Sequence, residues 1–232
     1  MSGGAPDFFY REAQRLGYLA RSAFKLLQMQ QQHRLIKPGG SVLDLGCAPG
    51  AWLQVACQSL GSMKNGGTVV GIDLKKVKVP NVYCDSRVQT VCADVMKISR
   101  GQARVLSPNG KGFSVILSDM CPPVSGITTK DAALSAELGM RALGLAVGEA
   151  ALAHLDDNND GQESSHHSSS GALENGILLP GGNLVIKLLE SEDIQGFSKI
   201  CKPCFKKTSW LRPKATKSSS REIYLICQGL KK

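Results

Sequence analysis

Apolar positions along the 232-residue chain fall into short runs divided by small-residue turns. Two helical stripes come first, within residues 6–35: Phe9, Ala13 and Leu16, and beyond Gly17 a second of Ala20, Ala23, Phe24 and Leu27. Val42-Leu43-Asp44-Leu45 then predicts a buried strand carrying one acid, followed by the turn Gly46-Cys47-Ala48-Pro49-Gly50 and helical spacing from Trp52 to Ala56. Further runs predict strands at 68–74, 88–94, 113–118 and 182–190, with a helix over 129–155 marked by Leu134, Leu138, Ala142 and Leu145. Two alternating segments, FKKTSWLRP and REIYLICQG, close the chain as a hairpin at the sheet edge. Strand, glycine turn and helix open a doubly wound α/β fold, whose ligands sit outside the carboxyl ends of the strands.

The turn excludes one obvious ligand. From Gly46 the next glycine is Gly50, so the dinucleotide spacing G-x-G-x-x-G is missing and a nicotinamide-dependent oxidoreductase is disfavoured. Glycine at Gly46 and Gly50 lets a ligand approach the backbone, and the helix beginning near Trp52 offers unpaired N–H groups. Asp44, just before that turn, would repel phosphates and suits a cation such as the amino-acid end of S-adenosylmethionine. Asp73 lies 23 residues past Gly50, where an acid reaches a ribose diol on the next strand, and Asp94, at the tip of the third strand, suits an adenine amino group. Any one of these acids could instead cap the element that follows it.

Composition describes one ordinary soluble core: 42% hydrophobic and 20% charged residues. No run approaches the ~20 apolar residues of a membrane span, and the N-terminus has no secretory signal. A single domain over 1–232 is expected. Residues 156–175 are acidic and serine-rich with little to bury, which predicts a disordered insert. His166 and His167 within it lack the further ligands of a metal site, as does Cys201-Lys-Pro-Cys204, so no metal is expected. Eight scattered cysteines read as reduced, mostly buried thiols of an intracellular, reducing compartment.

Charge adds a partner. The net charge is +9, and residues 155–175 carry five acids and no Lys or Arg, so the rest is more basic still. Residues 199–221 carry eight basic residues and no acid. With the basic positions in 11–37 they form faces suited to a polyanion, most simply RNA.

Four polar residues stand out near strand ends and helix faces. Lys25 shares a face with Arg21 beside an apolar stripe, where a snorkelling surface lysine would also fit. Asp119 follows the fourth strand and precedes Met120-Cys121-Pro122-Pro123, where an Asx turn is the plain alternative. Lys187 lies inside an apolar run, where an ammonium is costly unless paired or partly neutral. Glu222 opens the last strand, beside Arg221.

From Asp7 to Gly229, the insert aside, the chain resembles the FtsJ/RrmJ-type ribosomal RNA 2′-O-ribose methyltransferases. The resemblance rests on Arg21-Ser-Ala-Phe-Lys25, LDLGCAPGAW, Ser118-Asp119-Met120 with Ser125-Gly126, PGGNLVIK, and Ser219-Ser-Arg-Glu222 before IYLIC. It implies a Rossmann-like methyltransferase fold: a seven-stranded, mostly parallel sheet with one antiparallel edge strand and helices on both faces. It also implies S-adenosylmethionine as cofactor, held at Gly50, Trp52, Asp73, Asp94 and Asp119, and a catalytic set Lys25, Asp119, Lys187 and Glu222. The activity implied is 2′-O-methylation of large-subunit ribosomal RNA by a monomer. Transfer RNA as target, or a silent RNA-binding assembly factor on the same fold, are the alternatives. Lys187 beside a second cation would have a lowered pKa, so it would aim or deprotonate the ribose hydroxyl, with Lys25 holding the ribose and phosphate and the two acids orienting the ammonium groups. Cys121-Pro122-Pro123 stands where relatives have Ala-Pro-Asn.

Overall fold

A computed structural model describes residues 8–148, 176–192 and 194–232. The expected insert at 156–175 and the end of the expected helix beyond Gly148 lie outside the described residues.

The sheet has seven strands: β1 (Ser41–Leu45), β2 (Thr68–Asp73), β3 (Val88–Cys92), β4 (Phe113–Ser118), β5 (Leu178–Leu189), β6 (Phe205–Leu211) and β7 (Glu222–Leu230). Their order is β3-β2-β1-β4-β5-β7-β6, reversing direction of travel at β1 and β4. β1 pairs in parallel with β2 and β4, β3 with β2, and β5 with β4. The antiparallel strand is β7, which lies one place in from the edge, hydrogen-bonded to β5 on one side and β6 on the other. The expected edge hairpin is thus present, with its second strand inserted before its first.

Helices α1 (Phe8–Leu16), α2 (Ala23–His33) and α3 (Ala51–Ser59) pack on one face; α4 (Arg100–Val105), α5 (Thr128–Val147) and α6 (Ile194–Cys201) on the other. Period-two alternation sorts the strand residues between these layers. Val42, Val69, Val115, Leu117, Val185, Tyr224 and Ile226 join the first core, whereas Leu43, Leu45, Ile72, Ile116, Ile186, Leu188 and Leu225 join the second. The same alternation carries Asp44, Asp119, Lys187 and Glu222 onto the face covered by α1, α2 and α3. Neither α4 nor α6 follows from the apolar pattern. α4 is six residues held by a capping box, the Ser99 hydroxyl accepting from Gln102 N and the Gln102 side chain accepting from Ser99 N. Four of the eight cysteines are buried, while Cys92 and Cys121 are exposed, so the thiols are less sequestered than the sequence suggests.

Candidate active site

Four charged side chains converge at the carboxyl ends of the parallel strands. Asp119 is the first residue past β4, and Ser118 is in register with Ile186, which brings Asp119 beside Lys187. Across the antiparallel ladder Lys187 faces Tyr224, and Leu189 faces Glu222. Lys25 reaches in from the first turn of α2. Lys187 Nζ donates to the Asp119 carbonyl oxygen at 2.6 Å and lies 3.1 Å from Asp119 Oδ1 and 3.8 Å from Glu222 Oε1. Lys25 Nζ donates to Glu222 Oε2 at 2.6 Å. Both lysines are buried, so Lys25 is no snorkelling surface residue. Two cations and two carboxylates leave the cluster without net charge, which is what makes such burial tolerable.

These contacts reverse one expectation. Burial works to lower the Lys187 pKa, but Asp119, with Cys121 and Glu222 behind it, outweighs that, and the ammonium is held above its ordinary value. Glu222 behaves in the complementary way: burial raises its carboxyl, yet Lys25 and Lys187 bring it below the usual range. The lysine that was expected to be lowered by a neighbouring cation is therefore dominated by its carboxylate partners.

Tyr224 is the residue that sequence reasoning missed. Its ring is fully buried against Trp52, at 5.9 Å between centroids, and Lys25 Nζ lies 5.7 Å from its centre. Its hydroxyl donates to Asp119 Oδ1 at 2.7 Å. Within IYLIC it reads as one more strand aromatic, and only its place opposite Lys187 gives it a polar task. Trp52 itself is buried and donates from Nε1 to the Ser22 carbonyl, so its indole braces α2 and leaves only first-turn backbone for a ligand.

A second cluster flanks the first on its β1 side. Asp44 is fully buried, and neither of its carboxylate oxygens has a hydrogen-bond partner among the described residues. Burial, with Asp119 and Asp73 as neighbouring charges, pushes its pKa well above the carboxylate range. Asp73 accepts from Ala48 N at 2.9 Å and Lys75 N at 2.8 Å, pinning the turn to β2. Asp94 accepts from Met96 N at 2.9 Å, closing a local turn. Gly46 has φ +78°, and a Cβ there would sit 2.9 Å from Met120 Cγ; at Gly50, φ +113°, it would sit 2.9 Å from Pro80 Cγ. The turn is therefore closed around the backbone.

The loop after β4 is held in place. The buried Asp131 carboxylate accepts from Ser125 N and Oγ and from Gly126 N, with Arg221 Nη2 3.5 Å away. The basic stretches also meet: Arg21 Nη2 donates to the Ala215 carbonyl and Lys214 N to Gln28 Oε1. Among the described residues no group of three His, Cys, Asp or Glu side chains could hold a metal, and no helix is long and apolar enough to cross a membrane.

The FtsJ-like methyltransferase family model matches residues 18–230, from the α1–α2 turn to the last residue of β7. The chain belongs to that family. Among curated relatives, a protein from Syntrophobacter fumaroxidans named ribosomal RNA large subunit methyltransferase E is 33% identical over the whole of both chains. One of the same name from Desulfatibacillum aliphaticivorans is 34% identical over 95% of this chain and 88% of its own length. A solved structure described as a ribosomal RNA methyltransferase from Plasmodium falciparum superposes with a TM-score of 0.65 at 22% identity, covering 92% of this chain and 98% of that one, a likeness of fold. Family membership makes the chain a methyltransferase, which needs a methyl donor. The four residues expected to be catalytic, Lys25, Asp119, Lys187 and Glu222, meet at one place, while of those expected to hold a cofactor Asp44, Asp73 and Asp119 form a common electrostatic group.

Proposed function

We propose that this protein transfers a methyl group from S-adenosylmethionine to a ribose 2′-hydroxyl of large-subunit ribosomal RNA. The observation that carries the reading is the closed cluster Lys25–Glu222–Lys187–Asp119, with contacts of 2.6, 3.8 and 3.1 Å. A ribose hydroxyl is a weak nucleophile, and what it needs is in-line placement and an acceptor for its proton.

The donor set fits the proposed cofactor. Asp44 is a buried carboxylate with no hydrogen-bond partner among the described residues, beside the charges of Asp73 and Asp119. A cation relieves that arrangement and a phosphate worsens it. S-adenosylmethionine supplies an electrophilic methyl on a positively charged sulfur when bound. Asp44 would hold its cationic end, Gly46, Gly50 and the backbone at Trp52 its flank, Asp73 and Asp94 the nucleoside, and Asp119 would border both clusters.

Lys187, kept charged by its two carboxylates, donates to the 2′-oxygen and aims a lone pair at the methyl. With the methyl passing to oxygen and the electrons of its former bond staying on sulfur, the hydroxyl proton would become acidic and pass to a carboxylate, Asp119 being nearer to Lys187 than Glu222 is. Lys25 holds the ribose and phosphate while Glu222 orients Lys25. Arg21 and Lys214, brought close where α2 meets the segment before β7, would carry the RNA backbone.

The test is transfer of labelled methyl to deproteinised ribosomal RNA and to large subunits, followed by alkaline hydrolysis. A 2′-O-methyl group leaves one phosphodiester resistant to cleavage at the labelled nucleotide. Label recovered on a base, or no transfer to either substrate, would overturn the reading.

A further inference from the structure

A cleft of about 650 Å³ opens beside the cofactor turn, between Leu19, the Ala48–Pro49 turn and the segment 75–81 that follows β2. Its floor is apolar: Leu19 is 51% exposed there, and Val79 and Pro80 pack behind it. Its rim carries Lys75, Lys76 and Lys78, all exposed, and among the described residues none of the three ammonium groups pairs with a carboxylate. Three like charges within four residues repel one another, and no carboxylate among the described residues offsets that repulsion.

The walls are fixed before any ligand arrives. Gln54, fully buried, accepts from Leu19 N at 2.9 Å and donates to the carbonyls of Gly17 and Val82, both at 3.0 Å, so one side chain ties the two sides together. Tyr83 adds a hydroxyl donated to the Leu16 carbonyl at 2.7 Å, and Thr90 Oγ1 donates to the Val77 carbonyl at 2.8 Å. A rigid apolar floor under a row of unpaired cations suits a strand with flat bases on one side and phosphates on the other.

We propose that this cleft binds single-stranded RNA flanking the target nucleotide, a base resting on Leu19 and phosphates on Lys75, Lys76 and Lys78. The inference rests on the RNA methyltransferase reading and adds the lysines of 75–78 to the basic faces of 11–37 and 199–221. It lies on the β2 side of the cofactor turn, whereas the charged cluster spans β4, β5 and β7, so the strand would run across the cofactor-bearing edge of the sheet.

The test compares K75Q/K76Q/K78Q with the unmodified full chain, measuring RNA affinity against salt, S-adenosylmethionine affinity, and kcat and KM for transfer. Neutralising three phosphate contacts lowers the slope of log affinity against log salt by about 2, with kcat and cofactor affinity near those of the unmodified protein. K111Q/K231Q, at the opposite end of the strands, controls for net charge and leaves the slope within about 0.5. Leu19→Ser at the exposed floor raises KM for RNA several-fold without changing the slope. An unchanged slope in the triple variant, or an equal fall in the control, overturns the proposal. Lost cofactor affinity with an unchanged slope overturns it too, by assigning the cleft to the cofactor. Failure of the unmodified protein to methylate ribosomal RNA refutes the parent reading separately, and this one with it.

Discussion

Two polar clusters share one edge of the sheet and solve the cost of buried charge in opposite ways. Around Lys187 every charge has a partner within 4 Å, and cations and carboxylates balance. Around Asp44 the neighbouring charges, Asp73 and Asp119, are of the same sign, and the most buried carboxylate has no partner among the described residues. A balanced cluster is ready for a neutral hydroxyl, which must be aimed and not attracted. An unbalanced one stores an electrostatic penalty that a cationic ligand relieves on binding. Asp119 belongs to both, since it contacts Lys187 and raises the pKa of Asp44.

The sharpest way to break this contrast is to remove the centre of the balanced cluster. Lys187→Ala should lower kcat by about 10²- to 10⁴-fold, the range for losing an aiming or charge-stabilising group, and leave cofactor affinity nearly unchanged. Single-turnover transfer together with calorimetric titration of S-adenosylmethionine separates the two quantities. Retained turnover would refute the role given to Lys187.

The next effect has opposite signs in two measurements. If Asp44 holds the cationic end of the cofactor as proposed, Asp44→Asn removes a charge-assisted contact and affinity should fall about 10- to 100-fold. The ligand-free protein should be no less stable, because an unpaired buried carboxylate is itself a cost. Asp44 has a folded pKa above its unfolded one, so stability is lost as pH climbs from the ordinary carboxylate range through the raised value. Thermal melts of ligand-free protein against pH should show that loss in the unmodified protein and lack it in the variant. A variant that melts well below the parent at neutral pH would mean that Asp44 has a structural partner.

Much of this edge was legible in the sequence. Apolar runs ending in acids and small residues located β1, β2, β4 and β5, and the match of five motifs in order located the charged cluster. What could not be read was the balance of charge. The buried position of Lys187 follows from its apolar neighbours, but its counter-charges lie on β4 and β7, and Lys25 meets Glu222 across a separation of 197 residues. Sequence neighbours alone make the lysine pair the dominant interaction, whereas the carboxylates set the sign. The hydroxyl of Tyr224 was hidden for the same reason: strand alternation predicts an inward ring and says nothing of which polar atom lies across the ladder. The position of β7 between β5 and β6 is likewise a property of pairing, which hairpin signals do not determine.

A smaller change probes the seam between the clusters. Tyr224→Phe keeps the ring that packs on Trp52 and removes the hydroxyl that donates to Asp119. The lost hydrogen bond is worth about 1 kcal/mol, so a fall of about fivefold to tenfold is expected. It should appear in kcat more than in KM, since Asp119 would be free to turn away from the reacting oxygen. A fall confined to thermal stability, with kcat unchanged, would make Tyr224 a packing residue only.

The smallest expected effect is a flat line, and it discriminates between two chemistries. If neutral Lys187 were the base, log kcat/KM would climb with unit slope across pH 7 to 10, because only a small fraction of the lysine would be deprotonated in that range. The structure holds Lys187 above its ordinary value and Glu222 below its own, so both remain charged across the interval. Activity that depends on a cationic Lys187 should then be level from about pH 7 to pH 10 and fall only above the normal lysine range. The sign is fixed by the partners: replacing Glu222 with Gln removes one raising charge, and the alkaline fall should move to lower pH. A unit-slope rise in the parent enzyme would show instead that bound RNA and cofactor reverse the electrostatics of the free cluster, making Lys187 the base after all.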